Sequence, residues 1–220
     1  MKVLVPFGPL IYQGDISEDS LKYFLSGAEK SRDHGDDMRS SLAGHIKTER
    51  SGLFDPQIFM DHIDIHVRRY LYLVHERRCN LNELHVHSTK EEQHKLDLRI
   101  VENVMDPNIK INYDMGGGPW INFQTKGEFN PLHEHSGDTS AIMFLDIPKE
   151  IAEENKDDQH QCMRIGCLEF AYDNSCCSVI TPKTGMIFLF PAHLRHTVYP
   201  FKSDVERITM SFNLSNVTLL

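Results

Sequence analysis

Apolar residues recur at helical spacing in the N-terminal half of the chain. One stripe, whose members are three or four positions apart, consists of Phe59, Ile63, Val67, Leu71 and Val74. Asp55 can cap a first turn and Pro56 suits its first position, so we predict a helix from Asp55 to about Arg78 that covers a sheet.

A shorter helix is predicted around Ser17 to Ala28, with Leu21, Phe24 and Leu25 on its buried side. The segment between the two helices is rich in Asp, Gly and Ser. This composition is typical of a loop.

Beyond Met115 the pattern changes to short β-rich segments. They are PWINFQT, SAIMFLDI, RIGCLEFA, SVIT, GMIFLFP, HTVYP and RITMSFNL. Each is bounded by Gly, Pro, Asn, Asp or Ser, and such a series predicts an antiparallel sandwich or barrel with the N-terminal helices packed outside. The polar segment AEENKDDQHQ, residues 152–161, interrupts the series, and we predict a solvated surface loop there.

The length of 220 residues suits a single domain with a full core. We expect one domain over residues 1–220, with helical support over about 1–115 and a β core over about 116–220. The oligomeric state is left open by the sequence.

Charge and hydropathy exclude two classes of partner. The formal net charge is −9 and the basic residues are dispersed, so no nucleic-acid partner is expected. No segment approaches the roughly 20 apolar residues of a membrane span, and Pro6, Gly8 and Pro9 interrupt the apolar N-terminus. We therefore expect a soluble, cytoplasmic protein.

The five cysteines, at positions 79, 162, 167, 176 and 177, are odd in number and fit reduced thiols better than a disulfide framework. A zinc site built from the later four with His160 is the less favoured alternative, because the segment contains no C-x-x-C pair.

The segment FNPLHEHSGDTSA places two histidines on either side of Glu134. In an extended chain His133 and His135 point to one face and Glu134 to the other, so two imidazoles converge. His196 and Arg207 follow in the same β-rich half. The order is H-x-H, then a distal histidine, then an arginine.

This order resembles the 2-oxoglutarate/Fe(II)-dependent oxygenases, particularly a prolyl-hydroxylase-like group of uncharacterised phage and bacterial proteins. The matching stretches are WINFQTKGEFNPLHEHSGDTS from Trp120, GMIFLFPAHLRHTVYP from Gly185 and RITMSFN from Arg207. The resemblance implies an α+β protein with a mainly β core, a double-stranded β-helix of the jelly-roll or cupin type.

The resemblance also implies Fe(II) with 2-oxoglutarate and O2 as cosubstrates, and no catalytic residue beyond the metal ligands. By position the ligands are His133, His135 and His196. Arg207 and Thr209, in the family's R-x-S/T pattern, would bind the distal carboxylate of 2-oxoglutarate. Asn122 and Gln124 are candidates for further polar contacts, and a phage-encoded chain would act in the host cytoplasm.

One position departs from the family pattern, because His135 stands where most relatives have a carboxylate. Three hypotheses follow. The first is a hydroxylase of an unidentified substrate, such as a peptidyl proline or another protein side chain. The second is a three-histidine dioxygenase that does not use 2-oxoglutarate, and the third is a non-catalytic, cupin-like metal-binding protein.

Other histidines are weaker candidates. His193 competes with His196, but the family spacing favours His196. His62 and His66 lie one turn apart on the predicted helix without the H-E-x-x-H arrangement of zinc proteases. The second H-x-H, at residues 85 and 87, has no downstream partners and is predicted to be a polar strand or loop.

Overall fold

The computed structural model describes residues 8–83, 91–157, 164–173 and 177–219. The helices are α1 (Glu18–His34), α2 (Pro56–Glu83), α3 (Glu91–Asn103) and α4 (Lys149–Asp157). The strands are β1 (Tyr12–Asp15), β2 (Glu49–Ser51), β3 (Ile111–Asp114), β4 (Trp120–Thr125), β5 (Asn130–His133), β6 (Thr139–Asp146), β7 (Leu168–Ala171), β8 (Cys177–Ile180), β9 (Met186–Pro191), β10 (Arg195–Val198) and β11 (Glu206–Leu219).

Two antiparallel sheets make up the β core of the described residues. The larger has seven strands in the order β1-β9-β6-β11-β4-β2, with β3 also paired to β11. The smaller has four strands in the order β5-β10-β7-β8. This arrangement confirms the predicted double-stranded β-helix with a mainly β core.

The larger sheet is covered on both faces, and its side chains alternate between two apolar clusters. On β6, Met143 packs toward the helices, whereas Phe144 packs toward the smaller sheet. On β9, Ile187 and Phe188 divide in the same way. Since strand side chains alternate, the positions of β4 and β11 that face the smaller sheet carry the polar residues of the candidate site.

The two predicted helices form as α1 and α2, with start signals that can be read locally. The Ser17 hydroxyl accepts the N–H of Ser20 at 3.1 Å and so caps α1. The Asp55 carboxylate accepts the N–H of Ile58 at 3.0 Å at the start of α2. The predicted stripe of α2 is confirmed at Phe59, Ile63 and Val67, which are at most 1% exposed and pack on the sheet.

The prediction of a loop at residues 152–161 is wrong up to Asp157, because α4 includes this part of the segment. Ile151, 1% exposed, anchors the helix in a small apolar cluster. The Glu154 carboxylate accepts the backbone N–H groups of Lys202 and Ser203, at 2.9 and 2.6 Å. Residues 158–161 lie outside the described residues.

The region between the predicted helices is a loop only in part. Helix α1 continues to His34, a short 3-10 turn spans Arg39–Ser41, and β2 follows at Glu49–Ser51. Strand β2 pairs with β4, which aligns Glu49 with Asn122. Across the described ranges, no helix combines the length and the apolar character that a membrane crossing requires.

Candidate metal centre

Three histidines converge between the two sheets. Strands β5 and β10 pair so that His133 and His196 are direct partners, and their ring centroids are 4.3 Å apart. His135 lies just beyond β5, with its ring 4.8 Å from that of His133 and 5.1 Å from that of His196. One ring nitrogen from each residue can be chosen so that all three lie within 4.8 Å of one another.

Backbone carbonyls orient two of the three rings. His133 Nδ1 lies 2.7 Å from the Pro131 carbonyl oxygen, and His196 Nδ1 lies 3.0 Å from that of Leu194. A carbonyl oxygen can only accept, so each Nδ1 carries the proton and each Nε2 keeps a free lone pair. A metal-binding histidine is usually held in this way.

Burial keeps the imidazoles of His135 and His196 neutral. It lowers the pKa of His196 to about 3, and the adjacent His133 adds to the decrease. Burial likewise lowers the pKa of His135 to about 4. Neutral imidazole is the form that binds a metal ion, so the donor set fits a divalent transition metal such as Fe(II).

Apolar and aromatic side chains surround the histidines. The Phe190 ring lies 4.9 Å from that of His196, and the Trp120 ring lies 5.6 Å from that of His135. The backbone N–H of His135 donates to the Ala192 carbonyl at 2.9 Å, which ties the segment after β5 to the end of β9. The rings are therefore held on a rigid frame.

Arg207 is fully buried on β11 and faces the space between the sheets. Its Nη1 donates to the Gly166 carbonyl at 2.6 Å, its Nη2 donates to Gln124 Oε1, and its Nε has no partner. Burial lowers its pKa to about 10, so the guanidinium stays charged at neutral pH. No carboxylate among the described residues forms an ion pair with it, and this leaves a charge that an anionic ligand could neutralise.

The other residues proposed for the cosubstrate lie beside the histidines, with Arg207 behind them. Asn122, Gln124 and Thr209 line the same cavity as the three histidines, whereas Arg207 does not line it. Asn122 Nδ2 donates to Thr209 Oγ1 at 3.4 Å, and Gln124 Nε2 donates to the Glu128 carbonyl at 2.5 Å. The Gln124 carboxamide therefore separates Arg207 from the cavity.

The cavity also contains polar residues that the sequence interpretation missed. Glu49, on β2, is 1% exposed and lines the cavity, and its Oε2 has no hydrogen-bond partner. Burial raises its pKa to about 7; the nearby Asp37 and Glu128 carboxylates add to the increase, and the Arg39 guanidinium opposes it. Asn130, on β5, also lines the cavity with an unpartnered Oδ1. No sequence pattern marks either residue, because their burial depends on strand pairing.

The weaker histidine candidates do not join the cluster. His193 is exposed. His62 Nδ1 forms a hydrogen bond with the Ser20 hydroxyl at 2.9 Å, and His66 Nδ1 forms one with the Tyr12 hydroxyl at 3.0 Å. The two histidines therefore have separate hydrogen-bond partners. His160, the H-x-H at residues 85 and 87, Cys162 and Cys176 lie outside the described residues.

The comparisons with known proteins find a family that resembles part of the chain. Residues 118–213 match the family model described as "Putative 2OG-Fe(II) oxygenase". This segment contains the three histidines, Arg207, Thr209, Asn122 and Gln124. A search of curated proteins gives no significant match.

Several solved structures resemble the chain at low identity. A prolyl-4-hydroxylase from Pseudomonas putida is 13% identical, with 92% of this chain and 91% of that chain covered and a TM-score of 0.48. A prolyl hydroxylase from Trichoplax adhaerens, in complex with a hypoxia inducible factor oxygen degradation domain peptide fragment, is 11% identical over 95% and 84% of the two chains, with a TM-score of 0.47. HygX from Streptomyces hygroscopicus, with nickel, 2-oxoglutarate and hygromycin B bound, is 11% identical over 94% and 82%, with a TM-score of 0.46. These likenesses are too distant to assign a substrate.

The family model covers just under half of the chain, and that part holds the β core around the histidines. Enzymes of this family use Fe(II), 2-oxoglutarate and O2. Over residues 118–213, the chain is similar to the putative 2OG-Fe(II) oxygenases.

Proposed function

We propose that the protein is an Fe(II)- and 2-oxoglutarate-dependent hydroxylase in which His133, His135 and His196 hold the metal through Nε2. The convergence of three imidazoles, two of them with Nδ1 tied to a carbonyl, is the observation that carries this proposal. When bound, the iron supplies the oxidising chemistry that hydroxylates a C–H bond while 2-oxoglutarate is converted to succinate and CO2.

Arg207 is the proposed partner of the distal carboxylate of 2-oxoglutarate. A buried guanidinium can bind a carboxylate through two charge-assisted hydrogen bonds. Its Nε is unpartnered, and Gln124 would have to release Nη2 for a bidentate contact. Thr209, Asn122 and Gln124 would then contact the cosubstrate from the same sheet face.

The remaining residues of the site orient the substrate and exclude water. Phe190 and Ile142 line the cavity and limit the access of solvent to the reacting carbon. No protein base is required to remove the hydrogen. As the first substrate class to test, we propose a protein or peptidyl side chain such as proline.

A second candidate function is a three-histidine dioxygenase that does not use 2-oxoglutarate. The observation that favours it is the arrangement of Arg207, whose two terminal nitrogens already bond to Gly166 and Gln124 behind the cavity wall. The third imidazole in place of a carboxylate also leaves the metal site about one charge more positive than in relatives with two histidines and a carboxylate.

Turnover of the cosubstrate separates these candidates. Iron-loaded protein is incubated with 2-oxoglutarate and O2, and succinate and dissolved O2 are measured with and without prolyl peptides. Succinate formation that depends on 2-oxoglutarate supports the first proposal. Oxygen uptake that needs iron but proceeds without 2-oxoglutarate would favour the second.

A further inference from the structure

Unpartnered hydrogen-bond acceptors are concentrated in one part of the cavity. Among the described residues, the buried side-chain oxygens that line it without a partner are Glu49 Oε2, Asn122 Oδ1 and Asn130 Oδ1. A buried polar atom without a partner costs stability. Three acceptors that share one cavity indicate a ligand that brings donors.

Strand pairing places two of these acceptors side by side. Glu49 on β2 is the direct partner of Asn122 on β4, and Asn122 is in turn the partner of Thr209 on β11. Side chains of directly paired residues lie on the same face and within reach of one another. Glu49 therefore extends the row of polar residues that includes the proposed cosubstrate contacts.

Gly44 lies close both to the third acceptor, Asn130 Oδ1, and to Glu49. A β-carbon on Gly44 would lie 2.3 Å from Asn130 Oδ1 and 2.9 Å from Glu49 Oε1. The two oxygens therefore lie close to the same point of the Gly44 backbone, and this close approach is possible because residue 44 has no side chain.

The charge of Glu49 decides the kind of donor. No nitrogen of a described Lys, Arg or His lies within 4.0 Å of its carboxylate oxygens. In its ionised form Glu49 would repel 2-oxoglutarate, so a cationic donor is the better match for it. Glu49 also does not belong to the group of side chains that could hold a metal ion together, which consists of His133, His135 and His196.

We propose that Glu49, with Asn122 and Asn130, binds a cationic nitrogen of the substrate, either a primary ammonium or a guanidinium. The carboxylate forms the ion pair, and the two amide oxygens accept the remaining N–H groups. This inference rests on the proposed function and narrows its substrate class to molecules that carry such a cation near the oxidised carbon. A free amine and a lysine or arginine side chain of a peptide have this chemistry in common.

Calorimetric titration of metal-loaded protein tests the proposal without turnover. The probes are n-butylammonium and n-butylguanidinium, with n-butanol as the neutral control. N-acetyl-lysine-N-methylamide and its norleucine analogue represent a peptide source. We expect wild type to prefer each cation over its neutral analogue by at least about tenfold.

Three variants separate the role of Glu49 from general effects on the fold. Glu49→Gln should lose the preference, and Gly44→Ala should weaken cation binding because the new methyl would displace the Asn130 and Glu49 side chains that it meets. Glu128→Gln is the matched control: Glu128 is also buried, at 5% exposed, but its oxygens accept the N–H groups of Lys47 and Thr125 and it does not line the cavity. It should keep the preference.

The proposal is overturned if wild type binds neutral and cationic probes equally, or if Glu49→Gln keeps the preference. It is also overturned if Glu49→Gln loses metal affinity, because Glu49 would then act on the metal. Tighter binding of the free amine or of the lysyl probe identifies the source of the cation, and either supports the proposal. Metal and 2-oxoglutarate binding are titrated separately, so failure of the proposed function is recognised independently.

Discussion

Single histidines define the proposed metal centre, and each can be tested alone. We predict that alanine at His133, His135 or His196 lowers the affinity for Fe(II) by more than about 100-fold, because each change removes one of three nitrogen ligands. Affinity is measured by competition with a coloured chelator. His193→Ala is the matched control, since His193 is exposed and close in sequence. Full affinity in any one of the three variants would contradict the ligand assignment.

Glu49 is predicted to lower the stability of the fold at high pH. Its pKa is near 4.5 in the unfolded chain and about 7 in the folded one, so the folded state binds more protons between these values and loses stability as pH rises through them. Glu49→Gln stays neutral and should be more stable than wild type by about 2 kcal/mol at pH 8, with little difference at pH 4.

Urea unfolding at the two pH values measures this effect. Glu128→Gln should give no such gain at pH 8, because both Glu128 oxygens accept backbone N–H groups. Equal stability of wild type and Glu49→Gln at pH 8 would show that the Glu49 carboxylate carries no desolvation penalty.

At the scale of single residues, the sequence predicted those site residues whose order along the chain forms a recognisable motif. His133, His135 and His196 could be predicted as a set because their order along the chain is specific, and the structure brings the three together. Glu49 could not, because a glutamate between Thr48 and Arg50 resembles any surface charge. Its burial follows from the pairing of β2 with β4, a contact that spans more than 70 positions of sequence.

At the scale of elements, one side chain of α2 holds the segment that leads into β3. Arg68 is 7% exposed and donates to the carbonyls of Val104, Asp106 and Ile109 at 2.8, 3.0 and 2.8 Å. We predict that Arg68→Met lowers the free energy of unfolding by about 3 kcal/mol, because it leaves carbonyls without a partner.

The neighbouring Arg69 provides the control for this prediction. It is exposed on the same helix, and Arg69→Met should change the free energy of unfolding by less than about 0.5 kcal/mol. Thermal or urea unfolding of both variants makes the comparison. Similar values for the two variants would mean that the Arg68 contacts contribute nothing beyond the helix itself.

Helix α2 and most strands of the β core were predicted, whereas several short or polar elements outside those segments were missed. Helix α2 has a regular apolar stripe over many turns, and its prediction is confirmed. Strand β2 has only three residues and β5 only four, so neither shows a period. Helix α4 is polar except for Ile151 and Ala152, and it is stabilised by contacts that the local sequence does not encode.

At the scale of the whole molecule, the sandwich explains why the site could form from distant segments. The face of the larger sheet that packs against the helices is apolar. The opposite face carries the polar cavity residues of β4 and β11. The smaller sheet then brings β5 and β10, with two of the histidines, against that face. The family resemblance predicted this architecture; the single domain over residues 1–220 remains a prediction.

The central claim is that iron and 2-oxoglutarate bind together at the three histidines, with Arg207 holding the cosubstrate. The most direct measurement is an anaerobic titration of Fe(II)-loaded protein with 2-oxoglutarate, followed in the visible spectrum. We expect a metal-to-ligand charge-transfer band in wild type and in the Arg69→Ala control, and a weakened or absent band in Arg207→Ala. Iron binding by wild type without any such band would contradict the account.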